Sequence, residues 1–267
     1  MTLSLVLPCF NEEATIEQTV RSCVHWMTDK QITGEIIVVN DGSGDRSGEI
    51  LVSLQSRFPL LRIITHAINQ GYGIAVRSGC DAARMEWIAF MDSDGQFDIR
   101  DLEKLLECSL PLLRGRARER VWEECSGQPL PQSSPFKGRG REAAVCSFVT
   151  GRRQKRADSM LRNVYGKGLG ILTWVLFGVW VRDINCGMKL FKRELWPSIR
   201  PVYGVEKMFN TELFLRLKTI EVVWKQVDVS HYPRRGGKPT GDSWRVMQRM
   251  LKEIWKLRLG NPSLRGG

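Results

Sequence analysis

An apolar run of strand length, Trp87 to Met91, ends abruptly in W-I-A-F-M-D-S-D-G-Q-F-D, which sets Asp92, Asp94, Gln96 and Asp98 within seven residues. Closely spaced carboxylates repel one another and lose hydration on burial, so no apolar core favours such a cluster. A divalent cation carrying a phosphorylated substrate resolves that conflict. Mg2+ or Mn2+ takes hard oxygen ligands, typically one or two carboxylates completed by substrate phosphates and waters. Taken alone, D-x-D reads more readily as a polar strand-to-loop turn, since Asp and Gly are common turn residues. The surrounding elements decide between the two readings.

Leu3 to Leu7 reads as a short buried strand, Pro8 to Asn11 as a turn, and Asn11 as the N-cap of a helix with Ile16, Val20, Cys23, Val24 and Met27 on one face. Glu35 to Val39 is a second strand closed by N-D-G-S, and a helix from about Asp45 follows with Ile50, Leu51, Leu54 and Phe58 on one side. Leu61 to Thr65 is a third strand, Tyr72 to Ala83 a helix of small residues, and the Trp87 run a fourth strand. Strands alternating with helices predict an α/β fold with a mostly parallel central sheet covered on both faces. Ligands bind such sheets outside the carboxyl ends of the strands. The polar tips Pro8–Glu12, Asn40–Asp45, Asn69–Gly73 and Asp92–Asp98 all fall there.

Beyond residue 108 the pattern lapses. Residues 114–142, rich in Arg, Pro, Ser and Gly, read as a mobile surface insertion. Regularity resumes with a strand over Ala143–Thr150 leading into G-R-R-Q-K-R, then a helix over about Asp158–Gly178 and a strand over Met188–Phe191. A helix over Met208–Lys218 and a strand over Glu221–Val229 complete a single domain of residues 1–231. Residues 232–267 read as a basic tail with an amphipathic helix, Trp244, Met247, Leu251 and Ile254 forming one stripe.

Forty Lys and Arg against 29 Asp and Glu give a net charge of +11 and a pI near 9.5, which predicts an anionic partner without choosing among nucleic acid, acidic lipid and phosphorylated ligands. The seven cysteines form no C-x-x-C pair and are expected to be reduced and mostly buried; the three isolated histidines offer no zinc spacing. The N-terminus lacks the basic stretch of a secretory leader. The longest apolar stretch, Gly168–Val181, is shorter than the roughly 20 residues a membrane span requires. The expectation is a cytosolic protein that does not span a membrane.

L-P-C-F-N-E-E, V-V-N-D-G-S-G-D, N-Q-G-Y-G-I-A and F-M-D-S-D-G-Q-F-D follow one another in an order that resembles the family 2 glycosyltransferases of GT-A fold. Within that family the chain is most similar to the polyprenyl-phosphate branch, the dolichyl-phosphate mannosyl- and glucosyltransferases. G-R-R at 151–153, R-D-I-N-C-G-M-K-L-F-K-R at 182–193 and F-N-T-E at 209–212 support the likeness. The resemblance implies inverting, metal-dependent transfer of mannose or glucose from GDP-mannose or UDP-glucose to a polyprenyl phosphate. It implies a metal (Mg2+ or Mn2+) at Asp92, Asp94 and Gln96, and a nucleotide-sugar pocket lined by Pro8, Asn11, Glu12, Asp41, Gly42, Ser43, Asn69, Gly71, Gly73 and Asp92. Asp41 resembles the residue that reads the base, and Gly71 and Gly73 would admit the nucleotide to the backbone. Relatives often carry D-D-G-S where this chain has Asn40-Asp41, so base preference does not carry over; Ile99 likewise follows Asp98 where Pro is usual.

Asp92 and Asp94 are the expected catalytic carboxylates. Asp183 and Glu212 are further acidic candidates, expected to position neighbours because each could as easily hold an Arg. Residues 114–156 hold eleven Lys and Arg against four Glu, and 231–267 nine against two acids. Arg152, Arg153, Arg156, Arg162 and Lys167 are expected to bind the acceptor phosphate, Arg162 and Lys167 by resemblance and the arginines because guanidinium chelates phosphate bidentately. Trp174, Phe177, Trp180, Trp244 and Trp255 interleave with basic residues, the pattern of a protein lying on an anionic membrane surface. Two alternatives stand beside this reading. One is the same fold acting on a glycan, protein or small-molecule acceptor. The other is a non-enzymatic nucleic-acid-binding protein, for which the chain carries no helix-turn-helix, zinc or RNP signature.

Overall fold

Seven strands form one sheet in a computed structural model that describes residues 1–109, 146–154, 175–179, 181–206, 208–234, 253 and 257. They are β1 (Thr2–Cys9), β2 (Thr33–Asn40), β3 (Leu61–Thr65), β4 (Trp87–Phe90), β5 (Phe148–Arg153), β6 (Lys189–Lys192) and β7 (Trp224–Val229), in the order β3-β2-β1-β4-β6-β5-β7. β1 pairs parallel with β2 and β4, β2 with β3, and β5 with β7; β6 alone runs antiparallel, between β4 and β5. The helices are α1 (Ile16–Asp29), α2 (Ser47–Gln55), α3 (Tyr72–Asp81), α4 (Leu102–Ser109), α5 (Trp196–Ile199) and α6 (Met208–Thr219).

Central strands covered on both faces must be apolar at every position, and β1 and β4 are buried almost throughout. Alternation divides their side chains between two cores. Leu3, Leu5 and Leu7 face α1, α2 and α4 in one; Val6, Ile37 and Phe90 meet α3 and α6 in the other. Leu257, from the tail, is buried in the second core. All six described cysteines are free and buried, as their spacing implied. Among the described residues no helix is long and apolar enough to cross a membrane.

Three local expectations change. Asn11 is not the N-cap of α1: its backbone is left-handed (φ 56°) and Thr15 precedes the first helical residue. The strand expected over Ala143–Thr150 is β5, starting at Phe148, so Gly151-Arg152-Arg153 lie in the sheet and not in the loop after it. β7 begins at Trp224, because Glu221 adopts a left-handed turn (φ 53°) directly after α6. The insertion at 114–142, most of the 158–178 helix and nearly all of the tail lie outside the described residues, with Arg156, Arg162, Lys167, Trp174, Trp180, Trp244 and Trp255.

Helix α3 approaches β1 through Gly79, where an added Cβ would stand 2.3 Å from Val6 Cγ1 and 3.1 Å from Val39 Cγ2. Ala is favoured over Gly by about 1 kcal/mol in an exposed helix, but overpacking a core typically costs about 1–3 kcal/mol. Gly79→Ala is therefore expected to destabilise the fold by about 1 kcal/mol net. A lowered urea midpoint checks this; an unchanged or raised midpoint contradicts it.

Candidate active site

The carboxyl ends of β1, β2 and β4 are joined by side chain to backbone hydrogen bonds. Asn11 N donates to Ser43 Oγ at 3.0 Å, and Gly44 N returns to Asn11 Oδ1 at 2.8 Å. Glu12 N donates to Ser47 Oγ (2.9 Å) and Glu13 N to Asp45 Oδ2 (3.0 Å). Ser93 Oγ donates to the Pro8 carbonyl at 2.6 Å, and Thr15 Oγ1 to the Ser93 carbonyl at 3.1 Å. Pro8, Asn11, Glu12 and Ser43 thus come together as expected. Asn11 ties the first loop to the second.

Asp41, expected to read the base, anchors the following loop. It is buried, and its carboxylate accepts from Gln70 N (3.0 Å) and Gly71 N (2.8 Å). His66 Nδ1 lies 2.6 Å away, and the far ring nitrogen is 3.0 Å from Ser78 Oγ. Asp41 therefore fixes the 66–71 loop, which holds Asn69 at the surface. Gly42 fits this loop closely: its φ is 69°, and a Cβ there would be 2.5 Å from the Ile68 carbonyl carbon. Gly71 and Gly73, expected to admit a nucleotide, are closely approached by the chain itself. A Cβ on Gly71 would meet Glu206 Oε1 at 2.9 Å, and one on Gly73 the Val205 carbonyl oxygen at 2.8 Å.

At the end of β4, Asp92 sits against Gly187, where an added Cβ would fall 2.0 Å from Asp92 Oδ2. Only glycine leaves room for that carboxylate. The Tyr72 phenol donates to it, while Asp92 Oδ1 is buried without a hydrogen-bond partner. Burial, then the neighbouring Asp94 charge, pushes Asp92 up to about 6. Burial likewise pushes Glu12 up to about 7, outweighing the Arg234 guanidinium in contact with it. Arg234 also reaches Asp94 Oδ2 at 3.8 Å, so one cation stands between two acids from different loops. Gln96 joins its amide to the Tyr232 carbonyl at 3.0 Å, and Tyr232 N donates back to Gln96 O at 2.9 Å. Asp98 leaves the cluster: it caps the short helical turn of residues 99–101 and pairs with Arg100.

Residues expected to take the acceptor phosphate or to serve as acids are tied to one another. Arg153 and Asp183 form a nearly buried bidentate pair, at 2.7 and 2.8 Å. Arg152 points to the other face of β5 and pairs with Asp228, its register partner on β7. Glu212 is buried on α6 and accepts from the backbone N–H groups of Val202, Tyr203 and Gly204 as well as from Arg216. That arrangement builds the turn before α6 and leaves no oxygen for abstracting a proton. Phe177 lies in the core, 5% exposed, rather than on a membrane-facing stripe.

A divalent cation fits Asp92, Asp94 and Gln96. The buried Asp92 Oδ1 lacks a partner, and a cation of this kind needs only one or two carboxylates when phosphates supply further oxygens. Among the described residues no group of three His, Cys, Asp or Glu side chains gathers on its own. Phosphate oxygens of a ligand would complete such a site. Tyr72, Gly187 and Arg234 were not singled out from sequence. Gly187 and Tyr72 lie inside the quoted motifs, but nothing in their spacing shows that they meet at Asp92.

Residues 4–108 match the profile described as Glycosyl transferase family 2. The chain is 27% identical over 242 residues to a dolichyl-phosphate beta-glucosyltransferase of Trichomonas vaginalis, covering 85% of this chain and 67% of that one. It is 28% identical to the dolichyl-phosphate beta-glucosyltransferase of Homo sapiens, covering 85% and 68%. Among solved structures it superposes on glucosyl-3-phosphoglycerate synthase from Mycobacterium tuberculosis in complex with Mn2+, UDP and glucosyl-3-phosphoglycerate, with a TM-score of 0.58, 21% identity and coverage of 95% and 80%. Mannosyl-3-phosphoglycerate synthase from Rubrobacter xylanophilus gives a TM-score of 0.61 at 17% identity, covering 99% and 76%. These superpositions show a shared GT-A fold.

A raised carboxylate means that the folded state binds more protons than the unfolded one, so the stability it contributes is complete below the unfolded pKa and lost as pH rises. For Asp92 that window runs from 3.8 to about 6. Without metal, the Tm of Asp92→Asn relative to wild type should rise across this window and level off near pH 7. A difference that stays flat, or falls, in melts from about pH 4 to about pH 8 contradicts the burial of this charge.

Proposed function

We propose that the chain is a family 2 glycosyltransferase of the dolichyl-phosphate branch, and that it transfers glucose from UDP-glucose to dolichyl phosphate with inversion at the anomeric carbon. The observation that carries the proposal is the buried, partnerless Asp92 Oδ1 beside Asp94 and Gln96, where the ends of β1, β2 and β4 meet. Glucose is favoured over mannose because the similar dolichyl-phosphate enzymes are named as glucosyltransferases.

Asp92, Asp94 and Gln96 would hold Mg2+ or Mn2+, which when bound supplies Lewis-acid neutralisation of the charge growing on the leaving diphosphate. Arg234 adds fixed positive charge at the same mouth, between Glu12 and Asp94. The hydrogen-bonded loops at Asn11–Glu13, Ser43–Ser47 and Gln70–Gly71 hold the nucleotide side rigid before the donor arrives. In the transfer, a phosphate oxygen of the acceptor attacks the anomeric carbon as the bond to the diphosphate breaks. A phosphomonoester has a second pKa near 6 and arrives mostly as a dianion, so no general base is required. The commitment of Asp183 to Arg153 and of Glu212 to Arg216 agrees with a reaction that asks neither for a proton transfer. Arg153 then acts by holding the site's wall, and phosphate binding falls to Arg156, Arg162 and Lys167.

The acceptor is a lipid, so the reaction belongs at a membrane surface, with the exposed Val175 end of the 168–181 segment and the basic tail as the proposed contacts. Free, buried thiols agree with a reducing, cytosolic side. A nucleic-acid role would account for the basic charge but leaves the carboxylates at β4 without a purpose.

The test is transfer of labelled sugar from UDP-glucose or GDP-mannose to dolichyl phosphate or to a soluble phosphomonoester, with and without Mn2+. Metal-dependent glucosylation of the lipid is expected, with activity abolished by Asp94→Ala. Transfer to the soluble acceptor alone, or near-normal turnover by Asp94→Ala, would overturn the reading.

A further inference from the structure

We infer that Lys189, fully buried on β6, is a positioning residue that holds the turn against which Asp92 is aimed, and so sets the affinity for a metal-bound nucleoside diphosphate. The inference rests on the site proposed above and extends it to a residue that touches neither metal nor substrate. Lys189 is 0% exposed and stands opposite Phe90 in the β4–β6 register, two residues before Asp92. Its ammonium lies 5.2 Å from the centre of the Phe90 ring and 5.7 Å from that of Phe214. It donates to the carbonyl of Cys186 at 2.6 Å and reaches that of Ile184 at 3.5 Å.

Among the described residues no carboxylate lies within salt-bridge distance of this ammonium, although the Asp183 and Asp92 charges act on it through space. Burying such a charge is costly, and an apolar side chain of similar length would serve the packing as well or better. The two carbonyls it holds give the lysine a role beyond packing. The carbonyls it binds belong to the turn that starts at Asp183, which anchors Arg153, and ends at Gly187, against which Asp92 rests. A turn free to relax would carry the Gly187 surface away, and the carboxylate would lose its fixed direction. Partners that orient a metal-binding side chain in this way typically change metal affinity by about 10- to 100-fold when removed.

The experiment compares wild type, Lys189→Met and Lys189→Gln by titration calorimetry of UDP with Mn2+ and of UDP alone, with thermal melts alongside. Lys189→Met is expected to melt cooperatively while its affinity for UDP with Mn2+ falls about tenfold or more. Metal-free UDP binding should stay unchanged, and Lys189→Gln, which can still donate one hydrogen bond, should recover part of the loss. A purely structural lysine predicts the opposite pattern, a shifted Tm with unchanged metal-dependent affinity, and that result overturns the inference. Loss of cooperative melting in both variants overturns it too, by assigning Lys189 to folding alone. If wild type itself shows no metal-dependent UDP binding, the site proposed above fails and this inference fails with it.

Discussion

The constraint on which the site depends is the confinement of negative charge at the end of β4. Asp92 and Asp94 follow a fully buried strand directly, and Glu12 comes to them from the end of β1. Asp92 and Glu12 lose hydration there, and the Asp94 charge raises the cost of ionising both. The surroundings answer with contacts that would be wasteful elsewhere: a half-buried tyrosine donating to Asp92, a glycine cleared for its oxygen, and an arginine placed between Glu12 and Asp94. An acidic pocket held this way is unfavourable alone and favourable with a cation and a phosphate, which is how a site can bind a weakly held metal only together with its substrate.

The antiparallel strand β6 makes the second half of the arrangement possible. Because it runs against β4, the turn that precedes it, residues 183–188, arrives at the same end of the sheet as the carboxyl end of β4. A parallel neighbour would have delivered its amino-terminal turn to the opposite edge. The reversal lets one short segment present Asp183 to Arg153 and Gly187 to Asp92, and lets Lys189 grip the turn from below.

The first half of the fold was legible in the sequence because its strands are continuous apolar runs closed by polar tips. Leu61–Thr65 ends where periodicity placed it, and the Trp87 run differs by one residue. The tips at Pro8–Glu12, Asn40–Asp45 and Asp92–Gln96 do converge, because parallel strands leave them no alternative. The partners of the charged residues were not legible. Arg152 and Arg153 are neighbours in sequence with opposite fates, since strand alternation turns one to Asp228 and the other to Asp183. Asp41 was singled out by resemblance as a base-reading residue, and the sequence did not show that its oxygens accept from backbone N–H groups 29 and 30 residues away. Arg234 was counted only as part of a basic tail. Its meeting with Glu12, 222 residues distant, depends on how β7 ends, which no local pattern encodes.

The mutual hydrogen bonding of the first loops has a consequence for how this scaffold can diversify. Asn11, Ser43, Asp45, Ser47 and Ser93 each satisfy backbone groups of a different loop, so none of these segments owns its own shape. Replacing one stretch with a homologous one would strand donors and acceptors in the other two. Changes in sugar-nucleotide preference on such a framework must therefore be inherited as linked sets of substitutions, and chimaeras cut between β1 and β4 would be poor intermediates between specificities.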